Sequence, residues 1–403
     1  MKKIGVYISS LLLFLTVSVI AQDSDFRPGK GKITATALNV RHIPSTSGNI
    51  IDSLKRGDVV DIIEKSKYTS NVDGVSDYWY KVSLPKKKTG WIFGQFVSFE
   101  LNIESGLRWK STTPDSSQTF TSIKITESGM LMAGTYSGNM FLSNDNGKSF
   151  KKILPQALGV SVGRINSIYS VKGTIWIAAN GDSNGGVWKS TNNGTSWIQI
   201  TTSQGLLSNE VYDIVEAGGT LYAATQKGLC ISSDNGMSFT EEKNVNMQVN
   251  SLAVSANNTI VAATSNGLYI STDKKGDPQK NWDRIKSKTA NMGDTVYTVA
   301  ISPTNDIYIG TDKGLAKSSL SNLDQWVSIG GRVEINSILV DQNGRVLVGT
   351  NNGLNISLDQ GGFWVTYKEE NGLASNWIYR VAVNPVSGVI WIASLSSGLS
   401  YSD

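Results

Sequence analysis

Two aspartates are the residues with the most chemistry to offer: Asp182 in NGDSNGG and Asp312 in GTDKG, in corresponding loops of two repeats. Carboxyls facing across a cleft, one with a raised pKa, are what inverting glycoside hydrolysis requires. Little else could react. The chain has one histidine, His42, and one cysteine, Cys230, which excludes an intrachain disulfide and a cysteine-built zinc site. No P-loop, dinucleotide fingerprint, nucleophile elbow or metal-ligand cluster occurs. Solvated loop aspartates are therefore the expectation, with no catalytic residue, metal or cofactor. The candidate ligand contacts are Tyr136, Asp182, Asp312, Lys313, Arg332 and Trp377, the last because an aromatic at a loop end can stack on a sugar or peptide.

These residues sit in a repeat. From about residue 105 a pattern recurs roughly every 39 to 47 residues, the size of one propeller blade. Each unit has a strand ending in small residues: MAGT, AAN, AAT, AAT, IGT, VGT and IAS. A Gly-led strand follows: GNMFLS, GGVWKS, KGLCIS, NGLYIS, KGLAKS, NGLNIS and SGLSYS. Four units continue into a tight turn and an aromatic: SNDNGKSF, STNNGTSW, SSDNGMSF and SLDQGGFW. The Asp accepts N–H groups inside its own turn, and the Gly supplies a positive φ. The seventh unit stops where its fourth strand should begin, and GLRWKSTT (106–113) supplies that strand from the other end. The chain is thus expected to close a ring of seven, with Trp109, Trp197, Trp282, Trp326 and Trp364 wedged between blades. Closure removes exposed sheet edges.

The S-x-D-x-G-x-x-W copies resemble the Asp-box, or BNR, repeats of sialidase-like β-propellers, and that resemblance implies fold rather than activity. GLLSNEVYDI (205–214) and GLASNWIYRV (372–381) resemble the repeats of two-component-regulator-type propellers, which implies carbohydrate or partner binding. Sialidase activity is not expected, since Arg164 lies in VGRINS rather than the R-I-P motif of that family. Single propellers of the BNR type also serve as assembly chaperones.

Ahead of the repeats, MKKIGVYISSLLLFLTVSVIAQ reads as a secretory signal peptide over residues 1–21, followed by a linker, 22–30. Residues 31–100 have strand-like stretches at Ala35–Val40, Val59–Glu64, Trp79–Val82 and Gly90–Phe93. ALNVR, Pro44, the Gly57-Asp58 turn, YWYKV and GWI together resemble a bacterial SH3 (SH3b) domain. That family is a small β-barrel that often binds cell-wall peptides or tethers its partner domain. The net charge of +4 does not suggest nucleic-acid binding, and no second long apolar run suggests a membrane span in the mature chain. The fold expectation is all-β: an SH3-like barrel, then a seven-bladed β-propeller over residues 105–403 closed by an N-terminal strand. The functional expectation is an exported, periplasmic or surface protein that binds a protein or glycan at the propeller top and is tethered by SH3b. The alternatives are a polysaccharide-active glycoside hydrolase and a periplasmic assembly factor.

Overall fold

The computed structural model describes residues 29–66, 70–72, 74–85, 88–100, 107–272, 281–285, 294–330, 333–362, 364–395 and 398–402. The signal peptide and Arg332 lie outside these residues. In the N-terminal domain seven strands form one antiparallel sheet, ordered Ile50–Lys55, Ala37–Arg41, Lys88–Phe93, Trp79–Leu84, Val59–Lys65, Gly29–Ile33, Val97–Glu100. Leu38 and Val40 alternate inward, as a strand with one buried face requires. Ile50–Lys55, not anticipated from the sequence, buries only Leu54, so as an edge strand it carries no alternation to read. His42 is a turn residue whose Nδ1 accepts the Asn49 N–H at 2.9 Å.

Among the described residues the rest of the chain forms seven four-stranded antiparallel sheets, taken here as blades 1 to 7, and one two-stranded ribbon, Gln156–Ala157 with Val160–Ser161. Their inner strands are Phe120–Ile125, Arg164–Val171, Val211–Ala217, Val249–Val254, Val296–Ile301, Ile335–Val340 and Ile378–Val383. Each inner strand touches the next, and the seventh touches the first, so the ring is closed. Blade 7 is built from both ends of the repeat region: Trp109–Thr112 pairs antiparallel with Leu399–Ser402, Trp109 opposite Ser402.

One apolar cluster fills each gap between neighbouring blades, and every cluster includes or packs against one outer-strand aromatic. These are Phe150, Trp197, Phe239, Trp282, Trp326, Trp364 and Trp109. The five tryptophans expected to wedge between blades do so. The small-residue signature also has a steric reason. A Cβ on Gly134, Gly310 or Gly349 would lie within 2.5 to 2.8 Å of Ile165, Ile335 or Ile378 of the following blade. In AAT, IGT and VGT the terminal threonine clamps the next turn: Thr225, Thr264, Thr311 and Thr350 donate to the carbonyls of Gly228, Gly267, Gly314 and Gly353 at 2.7 to 3.1 Å. Cys230 is buried in this packing, and burial pushes its thiol up to about 11.

The Ser-Asp-Gly turns share one hydrogen-bond pattern. In blade 1 the Ser143 hydroxyl donates to Asp145 Oδ1 at 2.7 Å and accepts the Gly147 N–H at 2.8 Å. Asp145 also accepts the Ser149 hydroxyl at 2.5 Å and the Ser149 N–H at 2.9 Å, which with Ser143 hold its carboxyl down at about 2. Ser232, Asp234 and Ser238 repeat the arrangement, as do Ser190, Asn192 and Ser196 with an amide in place of the acid. Two successive positive φ values, 54° at Asn146 and 76° at Gly147, make the turn type I′-like.

Blade 6 departs from this scheme. SLDQGGFW has Phe363 where the other copies have a serine, so Asp359 lacks the hydroxyl that would take its second oxygen. Lys65 of the N-terminal domain takes it instead, with Nζ 3.4 Å from Oδ2, and the buried Tyr80 hydroxyl donates to the Gly362 carbonyl at 2.7 Å. A Cβ on Gly362 would lie 2.7 Å from Asp359 Oδ2 and 2.9 Å from Lys65 Nζ, so a side chain there would push on the ion pair. Gln360 occupies the position where Asn is preferred at positive φ, and its side chain accepts Lys317 Nζ at 3.0 Å. A copy that has lost the second serine of the turn is thus the seat of the N-terminal domain.

Beside this junction, burial raises the Asp77 carboxyl to about 6, against the opposing effects of the Tyr78 N–H and Lys65. A carboxyl raised on folding stabilises the fold fully below its unfolded value near 4, and that contribution is lost as pH rises through about 6. Asp77→Asn should flatten the pH dependence of denaturant unfolding between about pH 4 and 6. At pH 7 it should stabilise by as much as about 3 kcal/mol. Trp109→Ala removes the aromatic from the closing strand and should lower unfolding stability by about 3–5 kcal/mol in the same assay.

Candidate ligand-binding site

The connections on the top face, those within a blade between its second and third strands and those from one blade to the next, carry the residues singled out in the sequence. Tyr136 follows Leu131–Thr135 in blade 1 and is 61% exposed. Trp377 directly precedes the inner strand of blade 7 and is 37% exposed. Asp182 is exposed on blade 2, its carbonyl accepting Asn209 Nδ2 at 2.6 Å. Asp312 and Lys313 form the exposed tip of a tight turn on blade 5, where Thr311 Oγ1 accepts the Lys313 N–H at 3.0 Å.

Two of these are brought together. The Leu395 N–H donates to the Trp377 carbonyl at 2.9 Å, the Thr119 hydroxyl donates to the Leu395 carbonyl, and the Tyr136 N–H donates to the Thr119 carbonyl at 2.9 Å. Tyr136, Leu395 and Trp377, all exposed, are thereby linked through their backbones across blades 7 and 1. Among the described residues no hydrogen bond or ion pair joins Asp182 and Asp312 to this edge or to each other.

The inner strands add what the sequence reading missed. Each has a register shift near its top end, and the residue inside the shift is Thr121, Asn166, Tyr212, Asn250, Tyr297, Asn336 or Tyr379 in blade order. The threonine and asparagines latch forward to the next blade. Thr121 donates to the Ile165 carbonyl at 2.6 Å, Asn166 to Val211 at 2.7 Å, Asn250 to Val296 at 2.8 Å and Asn336 to Ile378 at 2.9 Å. The three tyrosines occupy the same position on blades 3, 5 and 7, at the mouth of the axis.

Arg164, at the top of blade 2, reaches across this mouth. Its guanidinium carbon lies 5.4 Å from the centre of the Tyr136 ring and 5.7 Å from that of Tyr379, so aromatic residues from blades 1 and 7 bracket it. Such contacts are worth about 0.5–2 kcal/mol each, more as water is excluded. Its Nε is buried with no hydrogen-bond partner, and among the described residues no carboxylate pairs with it. Burial raises the Tyr212 phenol, Glu210 adds to this, and the charge of Arg164 acts in the opposite sense. The arrangement offers an oriented cation, aromatic faces and phenol hydroxyls to a ligand with an acidic or strongly polar group. The alternation of Asn and Tyr at one repeat position was the sequence signal available for it.

Comparison with known proteins agrees with this architecture. A bacterial SH3 domain family matches residues 36–98, and a DUF6242 β-propeller domain family matches residues 156–288. No curated protein matches the chain. Among solved structures it is similar to the extracellular domain of BT4673 from B. thetaiotaomicron, described as part of a one-component or hybrid two-component system. The identity is 18% and the TM-score 0.61, over 73% of this chain and 40% of that one. The chain thus spans well under half of those extracellular domains. It is also similar to YCF48 bound to D1 peptide, at 18% identity and TM-score 0.59, covering 73% of this chain and 95% of that one. Virginiamycin B lyase from Staphylococcus aureus shares the fold at 10% identity and TM-score 0.58, over 73% of this chain and 98% of that one. At these identities the likeness is one of fold.

Because Asn336 Nδ2 donates to the Ile378 carbonyl, Asn336→Ala should remove that partner. It should cost about 1–3 kcal/mol in denaturant unfolding, whereas Tyr297→Phe, on an exposed side chain, should cost little.

Proposed function

We propose that this is an exported, non-catalytic binding protein whose propeller holds a glycan or protein ligand at its top mouth. The observation that carries this reading is Arg164 held between Tyr136 and Tyr379 with no acid of its own. Stacked guanidinium and phenol rings suit a ligand that combines a flat apolar face with an acidic group, such as a uronate-containing glycan or an acidic peptide. The Ser-Asp-Gly turns fit the Asp-box pattern and lie at the other end of the third strand of each blade, which leaves the top face free. The N-terminal domain, seated on one of those turns, serves in this reading as the tether, with cell-wall peptide as its partner. Extracellular domains among the similar folds, and one propeller bound to a peptide, support export and binding.

Calorimetric titration of the full chain with acidic oligosaccharides and acidic peptides tests the proposal. One class should bind saturably, with affinity reduced at least tenfold by Arg164→Ala and unchanged by Asp182→Asn. Binding that survives Arg164→Ala would move the site elsewhere. Release of reducing sugar from a polysaccharide, abolished by Asp182→Asn or Asp312→Asn, would replace the binding reading with a hydrolytic one.

A further inference from the structure

A second feature lies on the propeller axis, away from the top mouth. Immediately after each register shift, the inner strands place Ser122, Ser167, Asp213, Ser251, Thr298, Ser337 and Arg380 at one equivalent position. All seven line an axial cavity of about 320 Å³. Five are small hydroxyl residues, which suits a narrow axis, and two are charged.

The two charged residues differ in how they are satisfied. Asp213 Oδ1 accepts the Ile214 N–H at 3.0 Å, Oδ2 accepts the Leu252 N–H at 2.9 Å, and the Ser251 hydroxyl lies 3.5 Å from Oδ2. Its charge is absorbed by the protein. Among the described residues, Arg380 has no hydrogen-bond or ion-pair partner. The blades on either side of it contribute Ser337 and Ser122, 3% and 1% exposed, and both hydroxyls are buried without a partner. Lys124, further along blade 1, lines the same cavity, and burial lowers its ammonium while Asp213 and Glu127 pull the other way. Buried polar groups in folded proteins are nearly always satisfied. Here an unpaired cation and two unpaired hydroxyls come from three consecutive blades whose residues line one cavity, the hydroxyls packed beside Gly134 and Gly349 at its wall.

We propose that the axial cavity binds one small oxyanion group, a carboxylate or a phosphate, with Arg380 as the charge partner and the Ser122 and Ser337 hydroxyls as donors. Arginine suits such a group because its planar fork of N–H donors matches the spacing of two anionic oxygens. This site is separate from the one at Arg164 and does not depend on it.

The test is calorimetric titration of the full chain with sodium acetate and with sodium phosphate, at constant ionic strength against a chloride background. Saturable one-site binding is expected, tighter for whichever anion supplies the matching group. Arg380→Gln should weaken it at least tenfold, and the Ser122→Ala/Ser337→Ala pair several-fold, while Arg164→Ala should leave it unchanged. Absence of saturable binding by both anions overturns the proposal, as does equal affinity in Arg380→Gln. Should Arg380→Gln fail to fold, unchanged affinity in the serine pair overturns it instead.

Discussion

Closure of the ring by Trp109–Thr112 on Leu399–Ser402 is the interaction on which the rest of the propeller depends. An open row of seven sheets would leave unpaired strand edges and two apolar blade faces in water. The seven inter-blade clusters are equivalent in kind, each with its outer-strand aromatic, and the one between blades 6 and 7 receives its tryptophan only when the closing strand is in place. Trp109 belongs to that cluster, where its ring meets Tyr367 edge-on at 5.4 Å. Pairing between residues almost 300 positions apart makes this the slowest contact to find by diffusion of the chain, since loop closure must precede it.

The same closure explains the composition. Blades converge toward the axis, so the second strand must be thin where the following blade's inner strand crosses it. Gly134, Gly310 and Gly349 meet that demand outright, and Ala178, Ala224, Ala263 and Ala393 meet it at the equivalent pairings with Ser167, Asp213, Ser251 and Arg380. Space released there is taken up by the inner-strand side chains and by the forward latches of Thr121, Asn166, Asn250 and Asn336.

Most of the architecture was legible because a repeat states its rule seven times. The strand order, the swapped closing strand and the aromatic wedges all follow from copies compared with one another. The Asn and Tyr alternation marks Tyr212 and Tyr379 as one repeat position, but not that Arg164 joins them at the mouth, because a register shift is a property of pairing between strands. Tyr136 and Trp377 were picked out one by one, but their proximity depends on Leu395 and Thr119, two residues that look like ordinary loop positions. The seat of the N-terminal domain was hidden for a different reason. Lys65 and Asp359 are 294 residues apart, and only the missing serine in SLDQGGFW hinted that the carboxylate was spoken for by another group.

A repeat protein must satisfy the same packing in every copy, so the positions that are free to depart from the consensus are where other demands act. Three departures here have physical content. The blade 6 turn, which lacks the serine of the other copies, gives its Asp359 carboxylate to Lys65 and its Gly362 carbonyl to Tyr80. Tyrosine in place of asparagine on blades 3, 5 and 7 gives up a forward latch and puts an aromatic ring at the mouth. Arginine in a ring of hydroxyls puts an unpaired charge on the axis. The first two exchanges give up a local contact that other copies keep, which is costly unless something outside the repeat restores it. For blade 6 that something is visible as the N-terminal domain. Lys124, Arg164 and Arg380, on blades 1, 2 and 7, concentrate positive charge along one continuous arc of the ring.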